Sequence, residues 1–185
     1  SYPELACEII AKFATDIPGP DLRDLIQRSY ATFEHPQVTP VVKQDDLFIL
    51  ELFHGPTLAF KDVALQFLGN LFEYLLLKSG QRMNIIGATS GDTGGAVAHG
   101  FLGVEGVQVV ILYPEGKVSD IQERQLTTLG KNIRALRVRG TFDDCQAMVK
   151  TAFLDPDLEG AVRLTSANSI NVARWIPQML YYVLA

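Results

Sequence analysis

Short runs of β-branched and apolar residues alternate with amphipathic helical segments from about His35 to the end of the chain. This alternation predicts an α/β fold in three layers, with a mostly parallel sheet and helices on both of its faces. The predicted strands are 47–51, 84–88, 108–112, 133–138 and 161–164, and the predicted helices are 62–78, 93–102, 120–129, 142–153 and 173–184. Residues 1–34 carry only two short helical patterns, which begin at Leu5 and Asp21. We therefore predict a helical amino-terminal segment (1–34) followed by an α/β region (35–185).

Local patterns support these predicted elements. Apolar residues recur every four positions within 62–78, which predicts one broad buried helix face. The run Val109–Leu112 is continuously apolar, as expected for a strand that is covered on both faces. Ser119 and Gln122 have the spacing of a capping box, and Gly130 is expected to stop the helix that they begin.

Composition and charge narrow the class of protein. The net charge is −5 and the chain has no run of Lys or Arg, so we expect no nucleic-acid partner. No apolar stretch has the length of a membrane span, and the amino terminus lacks the layout of a signal peptide. Cys7 and Cys145 are too few for a disulfide framework, and neither the cysteines nor the histidines have metal-ligand spacing. We expect a cytoplasmic protein without a metal, in which Cys145 is a small buried hydrophobe.

Open parallel sheets bind ligands where strands lead into helices, and three loops of this kind carry polar residues. The first is Phe53–Asp62, which reads Phe-His-Gly-Pro-Thr-Leu-Ala-Phe-Lys-Asp. Leu58 and Phe60 would shield Lys61 from water, and desolvation favours the neutral form of an amine. A neutral amine can condense with an aldehyde cofactor. The alternative is a surface lysine that opens a helix, and local chemistry alone favours it.

The second loop, Thr89–Gly95, joins a predicted strand to a predicted helix and is rich in glycine. Its backbone N–H groups and the hydroxyls of Thr89, Ser90 and Thr93 could hold a carboxylate or a phosphate at the positive end of the helix. The spacing matches neither a Walker motif nor the dinucleotide fingerprint. A glycine-rich turn with an Asp cap is the alternative, but the number of hydroxyls and glycines favours anion binding.

The third loop, Thr165–Arg174, places small polar residues between a strand and the last helix. Arg174 can present two parallel donors to a phosphate or carboxylate, and Asn168 and Ser169 add neutral donors. Alternatively, Asn171 or Ser169 caps the last helix and Arg174 forms a salt bridge. The residues themselves leave both interpretations open.

Taken together, the three loops resemble those of the threonine synthase family. They match the branch whose lysine segment reads Phe-His-Gly-Pro-Thr-x-Ala-Phe-Lys-Asp, and residues 53–62 carry every fixed position. The turn Ser90–Gly94 and the segment Asn168-Ser169-Ile170-Asn171-x-x-Arg174 also match, in the same order along the chain. The resemblance extends from about His35 to the end, whereas the residues before it match only in general character.

This resemblance implies an incomplete fold-type II pyridoxal-phosphate enzyme, similar to tryptophan synthase β. Lys61 would bind the cofactor covalently and would move protons at Cα, Cβ and Cγ of the substrate. Asp92 would also lie near the cofactor. The implied substrate-binding residues are Thr89, Ser90, Gly91, Asp92 and Thr93 for the carboxylate, and Asn168, Ser169 and Arg174 for the phosphate. The implied reaction converts O-phosphohomoserine and water to threonine and phosphate by β,γ-elimination and replacement.

In the family, the loop for the cofactor phosphate and the partner of the pyridine nitrogen would lie beyond Ala185. The last helical run is apolar without a stop signal, so we expect the chain to continue and this piece alone to bind cofactor weakly and be inactive. A related amino-acid phospho-lyase or dehydratase is the close alternative. A non-catalytic α/β module that binds an anion at the glycine-rich turn is the distant one. The sequence does not distinguish a monomer from a homodimer.

Overall fold

The computed structural model describes residues 1–184, which form two compact units. The first unit contains Ser1–Leu71 and the segment from Ser169 onward, and the second contains Phe72–Asn168. The elements in chain order are α1 (Tyr2–Ile10), α2 (Gly19–Tyr30), β1 (Val41–Gln44), β2 (Leu47–Leu50), α3 (Asp62–Ser79), β3 (Met83–Ala88), α4 (Asp92–Gly100), β4 (Val107–Pro114), α5 (Asp120–Thr127), β5 (Ile133–Val138), α6 (Phe142–Leu154), α7 (Pro156–Ala161), β6 (Leu164–Thr165) and α8 (Val172–Leu184). The predicted boundary at residue 35 separates a helical segment (1–34) from the α/β region (35–185), and this boundary stays a prediction.

The second unit is built on a four-stranded parallel sheet with the strand order β5-β4-β3-β6. In β4 the consecutive residues Ile111, Leu112 and Tyr113 are all buried. Because neighbouring residues of a strand point to opposite faces, the sheet is covered on both faces at this level. Helix α6 contacts β3 and β4, while α4 contacts β4 and α5 contacts β5. The predicted parallel α/β architecture is confirmed.

Local signals placed two of the helices correctly. Ser119 and Gln122 form the predicted capping box, because the Ser119 hydroxyl accepts from the Gln122 N–H and the Gln122 side chain accepts from the Ser119 N–H. Gly130 lies just beyond α5 with a φ of 63°, a conformation that glycine adopts at little cost. Helix α6 begins with a second capping box, formed by Thr141 and Asp144.

In the first unit, α1 packs against α2 and α8. The rings of Tyr2 and Tyr30 meet edge to face with centroids 4.9 Å apart. The first turns of α3 are buried on every side, since Asp62 to Leu68 are all buried. The predicted single buried face therefore understates how deeply the start of this helix lies in its unit.

The strand predicted at 47–51 exists as β2, but it does not join the parallel sheet. It pairs with β1 in an antiparallel hairpin, with Val41 opposite Leu50. The two-residue turn at Asp45–Asp46 causes this pairing, because Asp45 adopts a left-handed φ of 56°, as tight hairpin turns require.

The strand predicted at 161–164 is also displaced. Residues 156–161 form α7, and the strand begins only at Leu164. Asp155 caps α7 by accepting from the N–H groups of Asp157 and Leu158, and Pro156 occupies the first helical turn. Within residues 1–184, no helix combines the length and apolar character that crossing a membrane would need.

Candidate active site

The lysine loop of the first unit consists of two consecutive tight turns that lead into α3. The Leu58 N–H donates to the Gly55 carbonyl at 3.0 Å, and the Asp62 N–H donates to the Ala59 carbonyl at 2.9 Å. Lys61 immediately precedes α3, and its carbonyl accepts from the N–H groups of Ala64 and Leu65. The backbone of Lys61 is therefore held as part of the first turn of a buried helix.

The side chain of Lys61 is half-buried. Its Nζ atom lies over the ring of Phe60, 4.4 Å from the centroid. This contact keeps the amine against an apolar surface on one side, as the order of residues in the loop predicted. Leu58, the other large apolar residue of the loop, points into solvent, so Phe60 rather than Leu58 shields the lysine.

A buried carboxylate closes the same loop. Oδ2 of Asp62 accepts from the Thr57 N–H at 2.8 Å, and Oδ1 accepts from the Thr57 hydroxyl at 2.7 Å. Both side chains are buried, Asp62 completely. Gly55 lies directly against Asp62, because a Cβ placed on Gly55 would come within 2.5 Å of the Asp62 Cβ.

Sequence reasoning assigned no function to Thr57, Asp62 or Gly55. The available signal was their place as fixed positions of the lysine motif, but nothing in the residue types alone pairs a threonine with an aspartate five positions later.

His54 belongs to a small cluster at the start of this loop. Its Nε2 atom lies 2.7 Å from a carboxylate oxygen of Glu51, and its ring packs against those of His35 and Phe53. The His54 carbonyl accepts from the Glu34 N–H at 3.0 Å. Among residues 1–184, no group of three or more His, Cys, Asp and Glu side chains has an arrangement that could hold a metal ion.

The glycine-rich loop of the second unit is organised by Thr89, which is buried. Its hydroxyl accepts from the N–H groups of Gly91 and Gly94 and donates to the Gly91 carbonyl, all at 2.9–3.1 Å. These bonds fold the loop onto the amino end of α4. The hydroxyl of Thr89 therefore shapes the loop, and a direct contact between Thr89 and a substrate stays a prediction.

The other members of this loop lie around the beginning of α4. Ser90 and Asp92 are exposed, Thr93 is half-buried, and Gly91 is buried at the amino end of the helix. Backbone N–H groups in the first turn of a helix favour a bound anion. The arrangement is suited to an anion, and the binding of the substrate carboxylate by these residues stays a prediction.

The third loop is divided between the units. Asn168 ends the second unit, whereas Ser169 and Arg174 belong to the first. The Asn171 side chain accepts from the Ala173 N–H at 2.9 Å, so Asn171 caps α8, one of the two roles that the sequence left open. Asn168 and Ser169 are exposed, and the Ser169 carbonyl accepts from the Trp175 indole N–H.

Arg174 lies in the first turn of α8 and is buried. Burial lowers the pKa of its guanidinium group, because desolvation disfavours the charged form. A buried arginine gains most from a partner of opposite charge.

Within the second unit, two of the predicted loops begin at the same end of the sheet, the end where the parallel strands have their carboxyl termini. Strands β3 and β6 are parallel, with Ile85 opposite Thr165, so the loop after β3 and the loop after β6 both follow carboxyl ends. The structure therefore places Thr89–Thr93 and Asn168 at the carboxyl-terminal end of this sheet. Lys61, Ser169 and Arg174 belong to the first unit.

The residues at hand fit an aldehyde cofactor. Lys61 supplies a half-buried primary amine on a fixed backbone, and Gly55 lets that backbone fold closely on Asp62. A primary amine is the group that binds such a cofactor covalently, by condensing with its aldehyde.

The fold is that of an α/β protein in which two polar loops follow the carboxyl ends of parallel strands, where enzymes of this class bind their ligands. Residues 32–177 match the family model described as "Pyridoxal-phosphate dependent enzyme". The chain belongs to the family of pyridoxal-phosphate-dependent enzymes, whose cofactor is pyridoxal phosphate.

Individual relatives are more specific. The chain is 48% identical to a threonine synthase of Saccharomyces cerevisiae and 46% identical to one of Eremothecium gossypii, in each case over 98% of its own length. It also superposes on the crystal structure of pyridoxal-phosphate-bound threonine synthase from Brucella melitensis, with 45% identity, a TM-score of 0.94 and full coverage of this chain. The chain spans 38–40% of the length of these three proteins. The predicted fold, that of the fold-type II enzymes, is confirmed.

Proposed function

We propose that the protein carrying this chain is a threonine synthase, which converts O-phosphohomoserine and water to threonine and phosphate. The observation that carries the proposal is the 45–48% identity to threonine synthases over nearly the whole chain, together with the intact lysine motif at residues 53–62.

Lys61 is the residue that would hold pyridoxal phosphate. Bound there, the cofactor supplies an electron sink for carbanions next to the substrate amine. The Lys61 amine would move protons at Cα, Cβ and Cγ of the substrate. One proton leaves Cα and one leaves Cβ as phosphate departs from Cγ, one is added at Cγ, and one returns to Cα when water adds its hydroxyl at Cβ. The Phe60 ring beside Nζ excludes water from one side of the amine.

Two other groups of residues orient the substrate. Ser90, Gly91, Asp92 and Thr93 bind the substrate carboxylate at the amino end of α4, where backbone N–H groups favour an anion. Their loop keeps its shape through the hydroxyl of Thr89.

Asn168, Ser169 and Arg174 bind the substrate phosphate. Burial of the Arg174 guanidinium supports this role, because a phosphate beside it would offset the cost that lowers its pKa. We further propose a cytoplasmic protein that binds no nucleic acid. The net charge of −5 and two free cysteines support this.

The test uses the full-length protein and its Lys61→Ala variant. With O-phosphohomoserine as substrate, the wild type should release threonine and phosphate, and the variant should lose at least about a thousandfold in kcat/KM because the covalent anchor is gone. Lys78→Ala, at the exposed end of α3, should retain wild-type activity.

Product analysis separates the related reactions. Release of 2-oxobutyrate instead of threonine would identify a phospho-lyase or dehydratase. Full activity of the Lys61→Ala variant, or a borohydride-reduced cofactor on another lysine, would contradict the proposal.

A further inference from the structure

The lysine loop contains a buried carboxylate that the proposed chemistry does not use. Asp62 is fully buried, and each of its oxygens accepts a hydrogen bond from Thr57, one from the N–H and one from the hydroxyl. A carboxylate is costly to bury unless it is hydrogen-bonded in this way. The two bonds from Thr57 therefore offset part of the cost of burying Asp62.

The bond between Thr57 and Asp62 closes a ring of chain that contains Lys61. Four residues, Leu58 to Lys61, lie between the two partners. Within this ring Leu58 adopts a left-handed φ of 61°, a strained conformation for a residue with a Cβ. Backbone strain of this kind persists only where surrounding contacts fix the conformation.

Close packing tightens the ring. A Cβ on Gly55 would lie 2.5 Å from the Asp62 Cβ and 2.6 Å from Oδ2. Only a glycine therefore lets the start of the loop lie on the clamped carboxylate. After the ring, the Lys61 carbonyl is bound by the N–H groups of Ala64 and Leu65, so the lysine backbone is fixed from both sides.

We infer that the hydrogen-bonded pair of Thr57 and Asp62 is a positioning device that presents the Lys61 amine to the cofactor in one orientation. Thr57 and Asp62 are positioning residues, since they act through Lys61. The inference rests on the proposed function, in which Lys61 binds pyridoxal phosphate. A lysine held in one orientation loses less entropy when it condenses with the cofactor.

The test compares Thr57→Val, which removes only the hydroxyl bond at nearly constant shape, with Thr57→Ser, which keeps it. Both are made in the full-length protein. Thr151→Val is the matched control, because it removes a threonine hydroxyl bond to the Ala147 carbonyl on the exposed face of α6.

Two quantities are measured. In cofactor-free protein, the amide hydrogens of residues 57–62 should exchange about tenfold faster in Thr57→Val, the change expected for one lost bond to a charged acceptor. After pyridoxal phosphate is added, the rate at which Lys61 forms an adduct that borohydride can trap should be about tenfold lower in Thr57→Val than in the wild type. Thr57→Ser and Thr151→Val should match the wild type in both.

A folded Thr57→Val protein with wild-type exchange and wild-type labelling would overturn the inference. If Thr57→Val does not fold, the wild type decides, because its Thr57 amide must exchange far more slowly than an unstructured amide, and an unprotected one refutes the clamp. A wild type that takes no label on Lys61 would instead refute the proposed function, and the exchange result would still test the clamp.

Discussion

Thr57 and Thr89 perform a similar task in the two units. Each is a buried threonine whose hydroxyl binds within its own loop, Thr57 to a carboxylate and Thr89 to the backbone of two glycines. In both loops the group expected to contact a ligand, Lys61 or the amino end of α4, is held by a hydroxyl that need not contact the ligand itself. The role of such residues is difficult to predict from a motif, because a hydroxyl in a loop of a binding site is interpreted as a ligand contact.

The shaping role of Thr89 gives a stability prediction. Thr89→Val keeps the shape of the side chain but leaves the Gly91 N–H without its acceptor and the Gly94 N–H with only the Gly91 carbonyl at 3.2 Å. This loss should lower the free energy of unfolding by about 1–3 kcal/mol. Urea unfolding of the full-length protein measures this change. Thr127→Val, which removes an exposed hydroxyl bond on α5, is the control and should cost less than about 0.5 kcal/mol. Equal losses in the two variants would contradict the role.

At the scale of elements, the amino end of α6 should make stability depend on pH. The Asp144 carboxylate accepts from both the N–H and the hydroxyl of Thr141, and these bonds lower its pKa. A group whose pKa is lower in the folded state stabilises the protein above its unfolded pKa of about 3.9, and this stabilisation is lost as the pH falls through the folded value.

In Asp144→Asn, the free energy of unfolding should therefore fall less steeply than in the wild type as the pH is lowered. Thermal unfolding of the wild type and the variant at pH 7 and at several values below 4 measures the effect, and the gap between them should narrow as the pH falls. Asp143→Asn, which leaves the capping box intact, is the control. A gap that stays constant down to pH 2 would show that the charge of Asp144 adds nothing to the cap.

The elements that the sequence predicted well are those whose local and tertiary signals agree. Strand β5 has the predicted bounds, and α3 and α5 end within two residues of theirs. The hairpin partner β1 was missed because Val41–Gln44 is a short, exposed strand without a buried pattern. Helix α7 was not predicted, because the helix-start signal at Asp155-Pro156 is followed within six residues by a strand pattern.

The candidate site divides in the same way. The glycine-rich loop was recognisable from its residue types and its position between strand and helix, whereas the roles predicted for Lys61 and Arg174 came from the resemblance of their loops to a known family. The bonds that fix these loops were not, because which side chain closes a loop depends on backbone geometry. Thr57 and Asp62 meet across a tightly turned segment in which Leu58 adopts a left-handed conformation.

At the scale of the whole molecule, the chain carries large apolar side chains that its own fold leaves in solvent. Leu47 and Phe48 on β2 are 68% and 73% exposed, and Tyr182 on α8 is 75% exposed. Apolar surface of this kind marks sites of protein–protein contact or of association. Because the chain spans 38–40% of the length of its relatives, we expect further polypeptide to cover this surface in the full-length protein.

This surface leads to a prediction about the 185-residue chain expressed alone. It should associate at micromolar concentration, because Phe48 and Tyr182 are uncovered, whereas the full-length protein should keep a defined size. It should also bind pyridoxal phosphate too weakly to retain it through gel filtration and should form no threonine, because it spans only 38–40% of the length of the threonine synthases that it resembles. Light scattering, cofactor absorbance and product assays on the two proteins side by side measure these differences.

Phe48→Ser in the chain should reduce association without restoring cofactor binding. A monodisperse chain that retains the cofactor and turns over O-phosphohomoserine would show that these 185 residues already hold the complete site.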